Sequence, residues 1–387
     1  MIDIRPQDRI GGPHEPRRPV FLYICLGLLA VIVGGAAVFY PQVIDVWHRL
    51  TAGRSQETLA AYEKLGVPTL PPHIALNPDV HASFDQLRRE PCDRTAILTF
   101  TRAIGNLGYR REAANGLVRF GSNCGHGEDA FYEAGNWLMG LSDFEGALKL
   151  ANGLVEAVPA SPDVRLLRGL ALEGLGRREQ ALPDYFSTIQ LVGDIKGVSS
   201  LPFEKISNIY ASLQRYCEAI TPLQIWVSVD PASRDTSQVK ALIADYVRKG
   251  RCDLEYAKGS DRFPVSSADV IKVQAQVNST PGTFIVDTGA SLVSLTGDFS
   301  RRAQVTTDER NRMTLQTANG TTEGVLGVAR KVQVGRVQAA DVAVVVVSGS
   351  FKGFGSGVDG LLGMSFLARY DVTFAGREWR LKEKSSP

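Results

Sequence analysis

A single carboxylate at the end of an apolar run is the strongest candidate for chemistry in this chain of 387 residues. Asp287 follows the run Phe284–Val286 and precedes Thr288 and Gly289. Apolar neighbours lower the local dielectric, which strengthens the effect of charge on a carboxyl group. The glycine lets the backbone pack tightly with its amides toward the carboxylate, and the threonine hydroxyl can bond to another loop. This pattern indicates an acid–base aspartate, although an aspartate at a strand end is also common in structural turns.

Three stretches together resemble the retropepsin-like aspartic proteases, and most of all the bacterial members of that clan that are anchored in membranes. The loop 287–291 reads Asp-Thr-Gly-Ala-Ser, as in the catalytic loop of the family. About seventy residues later, 360–367 is similar to the family's strand that packs beneath this loop. Between them, 315–322 contains an Asn-Gly turn where the family has the flap that closes over substrate. The resemblance covers residues 265–385.

The resemblance implies a role for each matching position. Asp287 is the catalytic residue, and the other site residues belong to the catalytic loop, the flap tip and the supporting strand. These residues are Thr288, Gly289, Ala290 and Ser291; Ala318, Asn319, Gly320 and Thr321; and Leu361, Leu362 and Gly363. The implied reaction is hydrolysis of a peptide bond by activated water, without a covalent intermediate, a metal or a cofactor.

This mechanism requires two carboxylates that share one proton, one as base toward water and one as acid toward the carbonyl oxygen. Asp359 is the other candidate inside the domain, but Gly-Leu follows it and it lies in the glycine-rich stretch 353–360, which is typical of a turn. We therefore expect the second carboxylate to be Asp287 of another copy in a symmetric homodimer.

Strand patterns surround the candidate site. Residues 269–278 alternate between apolar and polar types, and 279–282 then predicts a turn before a strand over 283–286. Further strands are expected over 313–317, 322–334 and 342–347. These patterns predict an all-β domain.

A long apolar run near the N-terminus predicts a membrane anchor over residues 19–40. No charged residue occurs between Pro19 and Ile44, and a run of this length can span a bilayer as one helix. A cleaved signal peptide is the alternative, but its apolar core is usually only about 7–15 residues long. Arginines are more frequent before the run than after it. Residues 1–18 are therefore predicted to be cytoplasmic, and the rest of the chain extracytoplasmic, in the periplasm of a Gram-negative cell.

A repeat of about 34 residues runs through residues 91–252. Alanines recur at spacings of 34, 34 and 38, with a leucine six residues before each and a glycine or proline twelve residues after each. Small alanines let two helices approach closely, the leucine closes the first helix and the breaker ends the second. The four sets are Leu107, Ala113 and Gly125; Leu141, Ala147 and Pro159; Leu175, Ala181 and Gly193; and Leu213, Ala219 and Pro231. The period resembles the tetratricopeptide repeat, and an irregular all-helical domain is the alternative.

The segment before the repeats, residues 41–90, is predicted to be a stalk. Its prolines are expected to interrupt regular structure from residue 68 onward. These prolines are Pro68, Pro71, Pro72 and Pro78.

Four cysteines lie in the part of the chain that is predicted to be extracytoplasmic, where disulfides are stable. One helix of the first predicted hairpin leads away from Cys92 and the next returns to Cys124. Cys217 and Cys252 bracket the last pair of antiparallel helices in the same way. The repeat therefore predicts the pairs Cys92–Cys124 and Cys217–Cys252, with four free thiols as the alternative. Since the histidines are scattered and no CxxC or HExxH spacing occurs, no metal site is predicted.

The composition narrows the function further. A formal net charge of +2, with no long basic run, disfavours nucleic-acid binding. The sequence predicts a multidomain chain with a transmembrane helix, an all-α tetratricopeptide-like repeat domain and an all-β retropepsin-like aspartic protease domain. The predicted function is a membrane-anchored aspartic endopeptidase that acts on extracytoplasmic proteins, in which the repeats either have a purely architectural role or provide a surface for a protein partner. The alternative is a catalytically inactive, membrane-tethered scaffold whose repeats bind protein partners.

Overall fold

The computed structural model describes residues 60–68, 70–125, 127–192, 195–252, 256–265, 270–317, 320–347 and 354–384. The predicted anchor, the N-terminal tail and the beginning of the predicted stalk lie outside these ranges. Within them, no helix is long and apolar enough to cross a membrane. The chain divides into two compact units, residues 1–64 and 65–387. In the first unit, residues 60–64 are described and are helical; all that follows concerns the second.

Helices make up the first half of the second unit. They are α1 (Pro72–Ala75), α2 (Pro78–Arg89), α3 (Arg94–Asn106), α4 (Arg110–Asn123), α5 (Glu128–Gly140), α6 (Phe144–Ala157), α7 (Pro162–Gly174), α8 (Arg178–Leu191), α9 (Leu201–Ser212), α10 (Tyr216–Val229), α11 (Pro231–Arg234) and α12 (Ser237–Gly250). Successive pairs from α3 to α10 form helical hairpins, and α12 packs on α10.

The prediction of helical repeats is confirmed, and each repeated residue type has a place in the hairpin. The four alanines lie near the start of the second helix of each pair and are fully buried. The four leucines are the C-caps of the first helices. Each leucine is followed by a residue in the left-handed region that ends helices; these are Gly108, Ser142, Gly176 and Gln214. Each second helix ends two residues before its glycine or proline.

Pro72 and Pro78 correct the prediction for the stalk. They do not interrupt regular structure but begin α1 and α2 as their first residues, a position where the missing N–H costs no hydrogen bond. The Asn77 side chain caps α2 by accepting from Asp79 N at 3.1 Å. Phe84 of α2 packs against Phe100 of α3, with ring centroids 5.8 Å apart. Residues 78–89 are therefore continuous with the helical repeats.

The two cysteine pairs are those that the repeat predicts. Cys92 is bonded to Cys124 and Cys217 to Cys252, with Cα–Cα distances of 5.5 and 5.4 Å. The first bond joins the beginning of α3 to the end of α4, and the second joins the beginning of α10 to the end of α12. Each disulfide therefore closes the open end of an antiparallel helix pair.

Strands make up the second half of the unit. They are β1 (Ser260–Pro264), β2 (Lys272–Val277), β3 (Thr280–Val286), β4 (Val293–Thr296), β5 (Thr306–Thr317), β6 (Gly320–Val334), β7 (Val337–Val347), β8 (Gly360–Leu362), β9 (Tyr370–Ala375) and β10 (Glu378–Glu383), with the short helices α13 (Gly297–Arg302) and α14 (Met364–Leu367). One sheet has the order β2-β3-β8-β4-β7-β6-β5, with a further β2–β6 pairing, and the other has the order β1-β10-β9.

The turn before β3 lies earlier than the sequence predicts. Val277 pairs with Thr280, so the turn consists of Asn278 and Ser279, while Thr280, Pro281 and Gly282 belong to the strand. Both turn residues have positive φ, as a tight hairpin with two connecting residues requires. Asn278 also accepts a hydrogen bond from Lys331 N, which ties the turn to β6.

The helical repeats and the β domain share a hydrophobic core. One apolar cluster lies inside the β domain around Phe284, Phe366 and Trp379. A second cluster runs from the helices into the β domain and includes residues of both β5 and α8. The two halves of this unit are therefore packed against each other through apolar side chains.

Candidate active site

Asp287 lies directly after β3, at the point where β3 runs parallel to β8. Phe284, Ile285 and Val286 pair with Gly360, Leu361 and Leu362, respectively. The Asp287 N–H donates to the carbonyl oxygen of Leu362 at 3.1 Å. Because parallel strands end at the same edge of a sheet, the catalytic loop begins beside the point where the supporting strand β8 ends. The backbone of Asp287 is thus held by the stretch of chain that the sequence analysis assigns to loop support.

The Asp287 carboxylate is half-buried and has few partners. Gly289 N donates to its Oδ1 at 2.8 Å, which fixes the side chain toward its own loop. No ion pair to this carboxylate occurs among the residues that the structure describes. Its other oxygen therefore remains available to a water molecule or a substrate, which is the arrangement that acid–base chemistry requires.

Gly363 allows the supporting strand to approach the catalytic loop closely. A Cβ atom at this position would lie 2.1 Å from the carbonyl oxygen of Leu292 and 2.7 Å from that of Ala290. Just beyond it, Met364 N donates to Ala290 O at 2.8 Å and Ser365 N donates to Ser291 O at 2.9 Å. The end of the catalytic loop is therefore bonded to the beginning of α14.

Ser365 lies inside the stretch 360–367, but it is not among the individual site residues that the resemblance implies. Its hydroxyl accepts from Val293 N at 2.9 Å and donates to Ala343 O at 2.7 Å. The side chain is fully buried and joins β4 to β7 just after the catalytic loop. A serine after Gly-Met gives no distinct signal in one sequence, since its partners are distant along the chain.

Thr288 is exposed and makes no hydrogen bond through its hydroxyl within the described part of this chain. The expected bond to another loop is therefore not made to the described residues of the same copy. The residue lies at the border of a cleft of about 1200 Å³ between the last helices and the β domain. Ile243 and Val247 of α12 line one side of this cleft, and Leu367 and Phe374 line the other.

The candidate flap is the hairpin of β5 and β6. Thr317 pairs with Gly320 and Gln316 with Thr321, so the two strands are paired up to the residues that connect them. Gly320 has a φ of 103°, as expected for a tight turn, and Thr317 Oγ1 donates to its carbonyl oxygen. The predicted tip residues Ala318 and Asn319 lie outside the described residues.

Asp359 has a structural role. Its Oδ2 accepts from Thr283 N at 2.9 Å, and its Oδ1 accepts from Arg302 at 2.7 Å. Thr283 precedes Asp287 by four positions on one strand, which corresponds to about 13 Å at ~3.3 Å per residue. The two aspartates therefore do not form a pair within one chain, in agreement with the interpretation of Asp359 as a turn residue.

Helix α8 is a neighbour of the site that the sequence analysis does not identify. Gln190 donates from Nε2 to the Ser291 hydroxyl, and Thr314 N donates to the Ser187 hydroxyl at 2.9 Å. Residues 181–189 are all buried in the structure although they include the polar Asp184, Ser187 and Thr188, so the sequence of the helix gives no clear signal of this enclosure. A helix that is buried on all sides is enclosed by two layers, and here the second layer is the β domain.

A metal centre finds no support in the described residues. No group of three or more His, Cys, Asp or Glu side chains lies close enough there to bind a metal ion.

Comparison with known proteins supports a protease domain in the second half of the chain. Residues 273–369 match the family model described as gag-polyprotein putative aspartyl protease. The matched span includes Asp287, the β5–β6 hairpin and the supporting strand β8. Because it covers about a quarter of the chain, it supports a retropepsin-like aspartic protease domain and leaves the helical repeats outside the match. The comparison with curated proteins gives no match.

Three solved structures are similar to parts of the chain. A retropepsin-like aspartic protease from Rickettsia conorii is 23% identical, over 32% of this chain and 99% of that chain, with a TM-score of 0.26. MamA is 15% identical over 44% of this chain and 84% of that chain, with a TM-score of 0.32. A thermophilic TPR protein in Thermus thermophilus is 19% identical over 44% of this chain and 88% of that chain, with a TM-score of 0.31.

Proposed function

We propose that this chain is a membrane-anchored aspartic endopeptidase that hydrolyses peptide bonds of extracytoplasmic proteins, with two Asp287 carboxylates from two copies as its acid–base pair. The observation that carries the proposal is the position of Asp287, which follows β3 where that strand pairs in parallel with β8, inside the segment that matches the aspartyl protease family. No cofactor is required.

The reaction follows from the chemistry of a carboxylate pair that holds one proton. The ionised Asp287 takes a proton from water as the water oxygen attacks the carbonyl carbon of the substrate, and the protonated Asp287 gives its proton to the carbonyl oxygen. The C–N bond then breaks: the proton held by the first carboxylate passes to the leaving amine, and one hydroxyl of the tetrahedral intermediate returns its proton to the second carboxylate, which restores the starting pair. The Gly289 N–H donates to one oxygen of Asp287, so the other oxygen can accept a proton from the water.

Two observations favour a dimer as the active form. Asp359 is bonded to Thr283 and Arg302, so it is not free to serve as the second carboxylate. Thr288 is exposed beside Asp287, and its hydroxyl makes no bond in the described part of its own chain. A two-fold axis beside the catalytic loop would bring Thr288 and Asp287 of two copies together.

The cellular placement rests on the sequence and on the disulfides. Residues 19–40 form the predicted anchor, and the excess of arginines before them favours a cytoplasmic N-terminus. The two cystines fit a periplasmic or other oxidising compartment for the rest of the chain.

Cleavage of a peptide library by the full-length chain in detergent tests the proposal. We expect wild-type protein to cleave with a bell-shaped pH profile and an acidic optimum, because the carboxylate pair titrates as a unit. Asp287→Asn keeps the shape of the side chain and should reduce cleavage to background. Asp359→Asn is the matched control and should retain activity, since the amide oxygen can still accept from Thr283 N. Retained cleavage by Asp287→Asn would exclude the mechanism, and no cleavage by wild-type protein would favour the inactive scaffold.

A further inference from the structure

Helix α8 of the repeats touches both parts of the candidate site that must be aligned, the catalytic loop and the flap strand β5. We propose that Gln190 and Ser187 are positioning residues, which fix the catalytic loop and the flap strand relative to each other through α8. This inference rests on the proposed function, and it assigns to the helical repeats a direct part in the geometry of the protease site.

The catalytic loop is held at Ser291. The hydroxyl of this residue is buried and accepts from Gln190 Nε2, while its carbonyl oxygen accepts from Ser365 N at 2.9 Å. Ser291 follows Asp287 by four residues within one loop. The loop is thus bonded on one side to α14 of its own domain and on the other side to the repeats.

The flap strand is held at Thr314. β5 is an outer strand of the seven-stranded sheet, so one edge of its backbone faces away from the sheet. Met313, Thr314 and Leu315 are all buried, although successive side chains of a strand point to opposite faces. This edge is covered by α8, whose Ser187 hydroxyl accepts from Thr314 N at 2.9 Å. Covering by a helix satisfies an edge that would otherwise be open to other chains.

A buried charged group strengthens the same contact. Arg165 of α7 donates to the Thr314 hydroxyl and forms an ion pair with Asp184 of α8, with Nη1 and Oδ1 3.3 Å apart. Arg168 also bonds to Asp184, at 2.7 Å. Burial lowers the pKa of the Arg165 guanidinium. Buried ion pairs add little net stability compared with apolar packing; the pair with Asp184 instead holds Arg165 of α7 in the position from which it donates to Thr314 of β5.

The consequence is that the distance between the flap strand and the catalytic loop is set from outside the protease domain. Ser187 and Gln190 lie three positions apart, on one face of one helix. Any change in the position of α8 therefore moves the contacts to Thr314 and to Ser291 together. Loss of either hydrogen bond should disturb the alignment of reacting groups, to which hydrolysis rates are very sensitive.

Three variants of the full-length chain test the inference. Ser187→Ala removes the acceptor for Thr314 N, and Gln190→Met keeps the length of the side chain but removes the donor to Ser291. Ser207→Ala is the matched control: Ser207 is equally buried on α9 and its hydroxyl also makes one hydrogen bond, to Ala219 O at 2.8 Å, inside the repeats. Ser207→Ala should lower the free energy of unfolding about as much as Ser187→Ala does, but it removes no contact to the candidate site.

Two readouts are required. With a fluorogenic peptide chosen from those that wild-type protein cleaves, Ser187→Ala and Gln190→Met should each lower kcat by about tenfold to a hundredfold with little change in KM, whereas Ser207→Ala should leave both unchanged. In hydrogen exchange of the uncleaved protein, Ser187→Ala should accelerate exchange at Thr314 and Gln190→Met at Ser365, whose amide bonds to Ser291.

The outcomes separate the inference from the function on which it rests. Unchanged kcat in both variants of an active enzyme would overturn the inference, as would unchanged exchange at Thr314 and Ser365. If wild-type protein cleaves no peptide, the proposed function fails, and the exchange data then decide the inference alone. Acceleration confined to the two α8 variants would support it, and equal acceleration in Ser207→Ala would overturn it.

Discussion

The helical repeats and the β domain differ in how far apart along the chain their contacts lie. In the repeats, each helix packs on the next one, so a period of about 34 residues is visible in the sequence. In the β domain, the decisive contact joins Val286 to Leu362, although β5, β6 and β7 lie between them in the chain and pair with other strands. Local contacts leave a pattern that one sequence reveals. Distant contacts depend on close approach at single positions, and substitutions there should have the larger effect.

Glycines provide the sharpest test of this difference. A Cβ atom at Gly360 in β8 would lie 2.0 Å from the carbonyl oxygen of Ser294, whereas nothing lies within 4 Å of one at Gly153 in α6. Gly360→Ala should therefore lower the free energy of unfolding by more than about 4 kcal/mol. Gly153→Ala should raise it by about 0.5–1 kcal/mol, because alanine is the better helix former.

Urea unfolding followed by tryptophan fluorescence and circular dichroism measures both changes. Trp379 is buried in the β domain, while Trp137 and Trp226 report on the helices. Similar stabilities for the two variants would show that β3, β8 and β4 are not packed as closely as described.

Removal of a disulfide should have the next largest effect on the free energy of unfolding, and it should destabilise the helical repeats. Replacing Cys92 and Cys124 with alanine opens a link that spans 32 positions. The chain-entropy account of such links predicts a loss of about 3–4 kcal/mol in the free energy of unfolding. Urea unfolding of this variant and of a Cys25→Ala control, which removes one thiol outside the described residues, measures the loss. Peptide mapping without reduction should recover Cys92 with Cys124, and a Cys92–Cys217 link would refute the hairpin topology.

An exposed ion pair of the β domain should have the smallest effect. Hydrogen bonds from the guanidinium and the backbone N–H of Arg336 hold the pKa of Asp261 at about 2, below the usual 3.8 of an aspartate. Because the folded-state pKa is depressed, this pair contributes stability above about pH 4 and loses it as the pH falls toward 2. Arg336 is largely exposed, so solvent screens the pair and its contribution to stability should be small. Unfolding free energies at pH 5 and pH 2 should differ less in Asp261→Asn than in wild-type protein, and an equal difference would contradict this assignment.

The sequence predicts the parts of this fold that depend on local rules. The alanine, leucine and breaker positions locate the hairpins, and these in turn predict the cysteine pairs. Local rules also explain two errors, since proline serves as the first residue of a helix as readily as it interrupts one, and Asn-Ser forms the tight turn that was expected two residues later.

The site itself is predictable in part. The Asp-Thr-Gly loop and the Gly-Leu-Leu-Gly stretch are recognised by resemblance, and the structure brings them into contact through parallel pairing. The bonds from Gln190 and Ser187 were not predictable, because they join residues about 100 positions or more apart in different domains. No period or motif records a contact of that kind, and the polar residues of α8 conceal in the sequence that the helix is buried.

The central claim is that one Asp287 from each of two copies forms the catalytic pair. Wild-type chains mixed and equilibrated with Asp287→Asn chains, at constant total concentration, test it directly. With random pairing, the active dimers scale as the square of the wild-type fraction, so an equal mixture should retain about one quarter of the activity. Retention of about one half, in proportion to the wild-type chains present, would contradict the shared pair and show that one chain holds a complete site.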